Sequence, residues 1–123
     1  MAVSMIDSPA IQGLGRFLDV SAMRTELITS NMANVDTPEY RTRDINFQQE
    51  MQRALGDPQM AYASFSPMVR EVRGLAVRPD GNNVNLEREG LLLADTQLRF
   101  QTAAQVLTAE FHRILSAIHE GGS

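Results

Sequence analysis

The chain has 123 residues, with 11 basic and 15 acidic side chains and a formal net charge of -4, which is enough for one domain and too little for two ordinary ones. Every basic residue is Arg, and so acidic a chain gains little from neutralising phosphate, which disfavours non-specific nucleic-acid binding. Cysteine is absent, so disulfides, thiolate zinc sites and cysteine nucleophiles are excluded.

The N-terminal stretch MAVSMIDSPAIQGLG lacks both a basic region and an uninterrupted apolar run, so no cleaved secretory signal is expected. Nor does any run approach the ~18–20 apolar residues of a membrane span. From Ser8 to about Asn34 the sequence predicts one long helix. Ser8 suits the N-cap, and Pro9 suits the first helical position, where no N–H is needed. Ile11, Leu14, Leu18, Ser21, Thr25, Ile28, Met32 and Val35 follow at alternating steps of three and four. Gly13 and Gly15 weaken the first turns by about 1 kcal/mol each relative to Ala. The helix is expected to stop at Asp36-Thr37-Pro38, because the residue before proline is pushed out of the helical region.

Between Tyr40 and Asn83, proline and glycine interrupt the chain every few residues. Asn46 to Leu55 suits a short helix, Met68–Arg73 and Leu75–Arg78 are weak strand candidates, and Pro79-Asp80-Gly81-Asn82 reads as a turn. This middle is expected to be poorly ordered, or ordered by a partner, around at most a hairpin.

A second long helix is predicted from about Asn85 to His119. Leu86, Gly90, Leu93, Gln97, Phe100, Ala104, Leu107, Phe111, Ile114 and Ile118 keep the four–three alternation without a slip, the period of a left-handed coiled coil. At 1.5 Å per residue the two helices span roughly 40 and 50 Å, and rods of that length must pair with each other, with other subunits, or with both. The expected fold is mainly α: two long terminal helices forming a coiled coil, with an irregular or partly β middle. The chain divides into 1–40, 41–84 and 85–123, working as one assembly unit. Leu93, Phe100, Leu107, Phe111 and Ile114, opposite Leu14, Leu18 and Ile28, are the expected seam interface.

Little in the chain suits catalysis. His112 and His119 are its only histidines, about 10 Å apart on one helix face, too far to share a metal. Asp80-Gly81-Asn82 lacks the ligand ladder of a calcium loop, and Gly13-Leu14-Gly15 lacks the third glycine and preceding strand of a phosphate-binding turn. Neither enzyme activity nor a cofactor or metal is expected.

Asn31-Met32-Ala33-Asn34-Val35-Asp36-Thr37-Pro38-Glu39-Tyr40 is the most distinctive stretch. Asn31 and Asn34 can bond the last free helix carbonyls or adopt the left-handed conformation, Asp36-Thr37-Pro38 suits a turn, and Tyr40 an amphipathic anchor. With Leu27 to Ser30 before it and Arg41 after it, the stretch resembles the N-terminal signature of the bacterial flagellar rod and hook axial proteins, which usually carry glycine where this chain has Glu39. Its site residues are Asn31, Asn34, Asp36, Thr37, Pro38 and Tyr40. Asp80 to Glu89, followed by Leu98-Arg99-Phe100-Gln101, resembles the C-terminal pattern of one of two sister proximal rod proteins. The short middle is unlike the larger insertions of the hook and distal rod proteins.

The resemblance implies a torque-transmitting subunit of the basal-body rod, with its terminal helices in the inner wall of a hollow tube. It implies other rod subunits, the rod–ring adaptor and the basal ring as partners, and export by the flagellar type III apparatus without a cleaved signal. Several such subunits carry an export-gate motif, a Phe followed four residues later by an apolar residue. Phe47 and Met51 match it in position, although simple packing explains them equally and Phe65 to Val69 has the same spacing. The free subunit is expected to be partly disordered at both ends and to fold on assembly. Read without the resemblance, the same helices suit a cytosolic helical-hairpin adaptor.

Overall fold

A computed structural model of the chain describes residues 8–56 and 67–121. Helix α1 spans Pro9–Ala33, strand β1 Arg43–Ile45, helix α2 Phe47–Gly56, strand β2 Val69–Glu71 and helix α3 Leu86–Gly121. The protein is therefore mainly helical with two long terminal helices, as expected. The ends of these helices follow from local chemistry. Ser8 Oγ accepts from Ile11 N–H at 3.2 Å, with Pro9 in the first helical position. Asn46 Oδ1 accepts from Gln49 N–H and Asn85 Oδ1 from Arg88 N–H, each at 3.0 Å, so both amides cap the helices they precede. Glu87 and Glu89 lie in the first turn of α3, where carboxylates complement the helix dipole.

Helices α1 and α3 run antiparallel. Asn31, near the end of α1, bonds Glu89 at the start of α3, whereas Pro9 and Ala10 lie across a groove from Val106 and Glu110. With 25 residues against 36, the last turns of α3 run on beyond the level of Pro9.

The middle is partly β, as expected, with β2 inside the Met68–Arg73 candidate, but it is better anchored than a poorly ordered segment. β1 and β2 pair antiparallel, with Arg43 opposite Glu71, Asp44 opposite Arg70 and Ile45 opposite Val69. Short as it is, this ribbon is anchored on three sides. Val20 and Leu27, one heptad apart on α1, pack with Ile45, and Phe47 and Met51 of α2 close over them. Phe17 and Phe47 meet edge to face with centroids 4.8 Å apart. Arg24 grips the Asp44 carboxylate with two hydrogen bonds of 3.1 and 3.0 Å, joining α1 to β1. Glu50, nearly buried on α2, accepts from Met68 N–H at 3.0 Å just before β2. A second face of α1, outside the Ile11-to-Val35 stripe, thus organises the middle. Leu75–Arg78 forms no strand, because the Arg78 backbone closes the 78–82 turn: its N–H donates to Asn82 O and its C=O accepts from Gly81 N–H, both at 2.9 Å.

Candidate functional site

The two motifs singled out in the sequence meet in space. Asn31, 1% exposed, is the hub of the first. Its Nδ2 donates to Arg43 O at 2.8 Å and to Glu89 Oε2 at 3.2 Å. Its Oδ1 accepts from Tyr40 O–H at 3.0 Å and from Arg43 N–H at 3.1 Å. One amide therefore ties the end of α1 to the outgoing chain, to β1 and to α3. Asn34 serves the helix end itself: its Nδ2 donates to Ser30 O at 2.8 Å, and its backbone, at φ -102°, is not left-handed. Thr37 Oγ1 donates to Asn34 Oδ1 at 2.9 Å, whereas Asp36 and Pro38 are exposed.

Asn82, fully buried in the second motif, faces this turn. Its Nδ2 donates to Asn34 O at 2.9 Å and to Thr37 O at 2.8 Å, and its Oδ1 accepts from Val84 N–H at 2.7 Å. Asn83 Oδ1 accepts from Thr42 N–H at 2.6 Å, and Glu39 N–H donates to Asp80 O at 2.9 Å. The Arg78 guanidinium donates to Val84 O at 3.0 Å and also to Val35 O. The turn that follows α1, whose Asn34 and Thr37 carbonyls also accept from Thr37 and Tyr40 N–H, is thus bonded a second time from a segment more than forty residues away. The sequence singled out Asp80 to Glu89 as a motif and Asp80-Gly81-Asn82 as a turn, but did not assign Arg78, Asn82, Asn83 and Glu89 to contacts with the first motif. Two adjacent amides just ahead of a helix cap were the available signal.

The helix residues fall in three groups. Ile28 and Ile114 are buried; Leu14, Leu18, Leu93 and Leu107 are half-buried; Phe100 and Phe111 are exposed. Among the described residues, Leu91, Leu98 and Leu115 are the most open large apolar side chains, at 68%, 65% and 61% exposure. Leu14, Phe17 and Met51 on one side and Leu98, Thr102 and Val106 on the other line an open groove. Phe47 and Met51 are both half-buried in the α1–α2 contact. His112 and His119 are exposed, and among the described residues no group of three or more His, Asp or Glu side chains is arranged to hold a metal. No described helix is long and apolar enough to cross a membrane.

No family model matches the chain. Among curated proteins, it is 35% identical over 105 residues to the flagellar basal body rod protein FlgB of Cereibacter sphaeroides, covering 77% of this chain and 82% of that one. The FlgB of Salmonella typhimurium is 30% identical over 122 residues, covering 85% of this chain and 88% of its own. The chain belongs to the FlgB family. The FlgB of Escherichia coli matches over the same 85% of the chain at 26% identity. Of the two sister proximal rod proteins, the C-terminal pattern resembled the one these relatives are named for. In this member of the FlgB family, the signature and the Asp80–Asn83 turn are the two halves of one polar clamp.

Proposed function

We propose that this protein is a structural subunit of the flagellar basal-body rod that assembles with other rod subunits by lateral packing of its terminal helices and so helps to carry torque. The observation that carries this reading is the apolar surface left outside the α1–α3 pair. Eight of the eleven large apolar side chains that are exposed among the described residues lie on α3, from Leu86 to Ile118, a concentration that suits covering by neighbours. Family membership supplies the context. Uncovered flanks on either side of one helix pair suit heterologous contacts, which propagate into an open helical assembly.

Partners on this reading are neighbouring rod subunits, with the rod–ring adaptor and basal ring at its base. The route out of the cytoplasm is the type III apparatus, with no cleaved signal. Phe47 and Met51 are proposed as its recognition motif. Both pack into the folded chain, so the apparatus would read them before folding. Phe47→Ala is expected to lower secretion, and normal secretion of that variant would remove the motif from the account.

The decisive experiment is mass spectrometry of hook–basal bodies purified from the source bacterium, with whole-cell extract as reference. Enrichment that survives detergent and salt washes supports a rod subunit. Absence from the particles with abundance in the cytosol would instead favour a helical-hairpin adaptor.

A further inference from the structure

Helix α3 carries two ways of completing one coiled-coil repeat. Leu93, Phe100, Leu107 and Ile114 form a row common to both. On one side of it stand Glu89, Thr96, Ala103 and Glu110; on the other stand Gly90, Gln97, Ala104 and Phe111, continued by Ile118. The rows are one residue apart, so exchanging them means turning the helix about its axis by at most ~100°. Apolar burial favours the second row, which has no charge and includes a phenylalanine, and the periodicity of the sequence selects it too.

The structure adopts the first. Glu89, Thr96 and Ala103 are 0%, 3% and 7% exposed, whereas in the second row Gly90 and Ala104 are half-buried and Phe111 and Ile118 remain 38% and 40% exposed. This rotation is uphill on burial alone. It encloses a carboxylate and leaves Thr96 Oγ1 buried without a hydrogen-bond partner. What offsets it lies at Glu89. One carboxylate oxygen accepts from Asn31 Nδ2 at 3.2 Å and the other from Arg88 Nη1 at 2.7 Å. Asn31 cannot follow a turning helix, because Tyr40 and both backbone groups of Arg43 hold the rest of its amide.

We propose that Glu89 is a positioning residue that sets the rotation of α3 and thereby keeps the row ending in Phe111 turned away from α1. Buried polar groups in coiled coils act in this way, fixing register at a cost in stability. In the rod subunit proposed above, the outward row is the one offered to a neighbouring subunit; that consequence rests on the rod reading, whereas the rotation does not.

The native chain has no cysteine, so single-cysteine labelling with a maleimide reads the rotation on the free protein. Thr96→Cys is nearly isosteric and buried, and Gln97→Cys is its exposed neighbour. In the otherwise native chain, position 97 is expected to label at least tenfold faster than position 96. Glu89→Leu added to each reporter is expected to reverse that order with helical circular dichroism retained. An unchanged order in folded Glu89→Leu protein overturns the proposal.

Should Glu89→Leu lose its helix signal, Gly90→Leu decides. It enriches the competing row while leaving Glu89 in place, and open space surrounds the position where a side chain would start. The native labelling order is expected to persist there, and a reversed order overturns the proposal. Swimming of a strain carrying Glu89→Leu tests the consequence separately. Lost motility with reversed labelling supports both readings, whereas reversed labelling with normal motility leaves the rotation standing and removes the outward row from assembly.

Discussion

Glu39 is the one non-glycine residue with positive φ among those described, at 65°. A side chain in this left-handed region costs about 1–2 kcal/mol. Glycine would relieve that but lose about 0.5–1 kcal/mol through its freer unfolded chain. Glu39→Gly is therefore expected to stabilise the protein by about 0.5–1 kcal/mol, measured as a higher urea midpoint at constant slope. The reverse holds across the turn. Gly81 has φ 85°, and a Cβ built there would sit 3.2 Å from the Glu39 Cα, so Gly81→Ala lowers the midpoint. Asn82→Ala removes donors from Asn34 O and Thr37 O, and an acceptor from Val84 N–H. Its expected cost is about 1–3 kcal/mol, since the buried Val84 N–H is left unpaired, whereas both carbonyls keep their bonds from Thr37 and Tyr40 N–H. Asp36→Ala, five residues from Asn31 but exposed, is expected to change stability by less than about 0.5 kcal/mol. Equal effects of the two substitutions in denaturant melts would contradict the clamp.

At the scale of elements, α2 is held by one aromatic contact and a small apolar cluster. Phe47 is half-buried against Phe17, so Phe47→Ala is expected to cost about 2 kcal/mol, below the range for fully buried aromatics. A thermal melt checks this, and a change within error would mean that the cluster of Val20, Leu27 and Ile45 holds the middle without α2. Ser8 and Pro9 made the start of α1 legible, because capping acts within three residues of the chain. The ribbon was harder to read. Its strands are three residues each and too short for alternation, and its anchors, Arg24 to Asp44 and Glu50 to Met68, join positions about twenty residues apart. The rotation of α3 was misjudged for a related reason. Periodicity weighs apolar residues, whereas a carboxylate fully enclosed beside Asn31 decided which row faces inward. The clamp half at Asn31 and Asn34 stood out as unusual; its partner at Asn82 did not, since contacts across forty-odd residues leave no local pattern.

For the whole molecule, burial is uneven. Asn31, Thr42, Ile45, Asn82, Asn83, Val84 and Glu89 gather around the clamp, whereas positions 115–121 of α3 are all exposed. Opening free energies follow such gradients. In hydrogen exchange on the free chain, amides of Ile28, Ile45 and Glu89 are expected to exchange slowest. Those from Leu115 to Gly121 are expected to exchange at least a hundredfold faster. Uniform protection along α3 would count against a molecule closed from one end, and uniform loss would mean that the clamp forms only with partners.

The one-ended clamp also makes the hairpin mechanically anisotropic. A load drawing Ser8 and Gly121 apart enters at the pole away from Asn31 and Asn82, and unzips the helix pair contact by contact at low force. A load applied between residue 40 and residue 85 meets the amide network of Asn82 and Asn83 together with the Arg78 guanidinium, so several bonds must fail at once. Single-molecule pulling from these two pairs of attachment points is expected to give a low, gradual extension in the first geometry and an abrupt, higher-force rupture in the second.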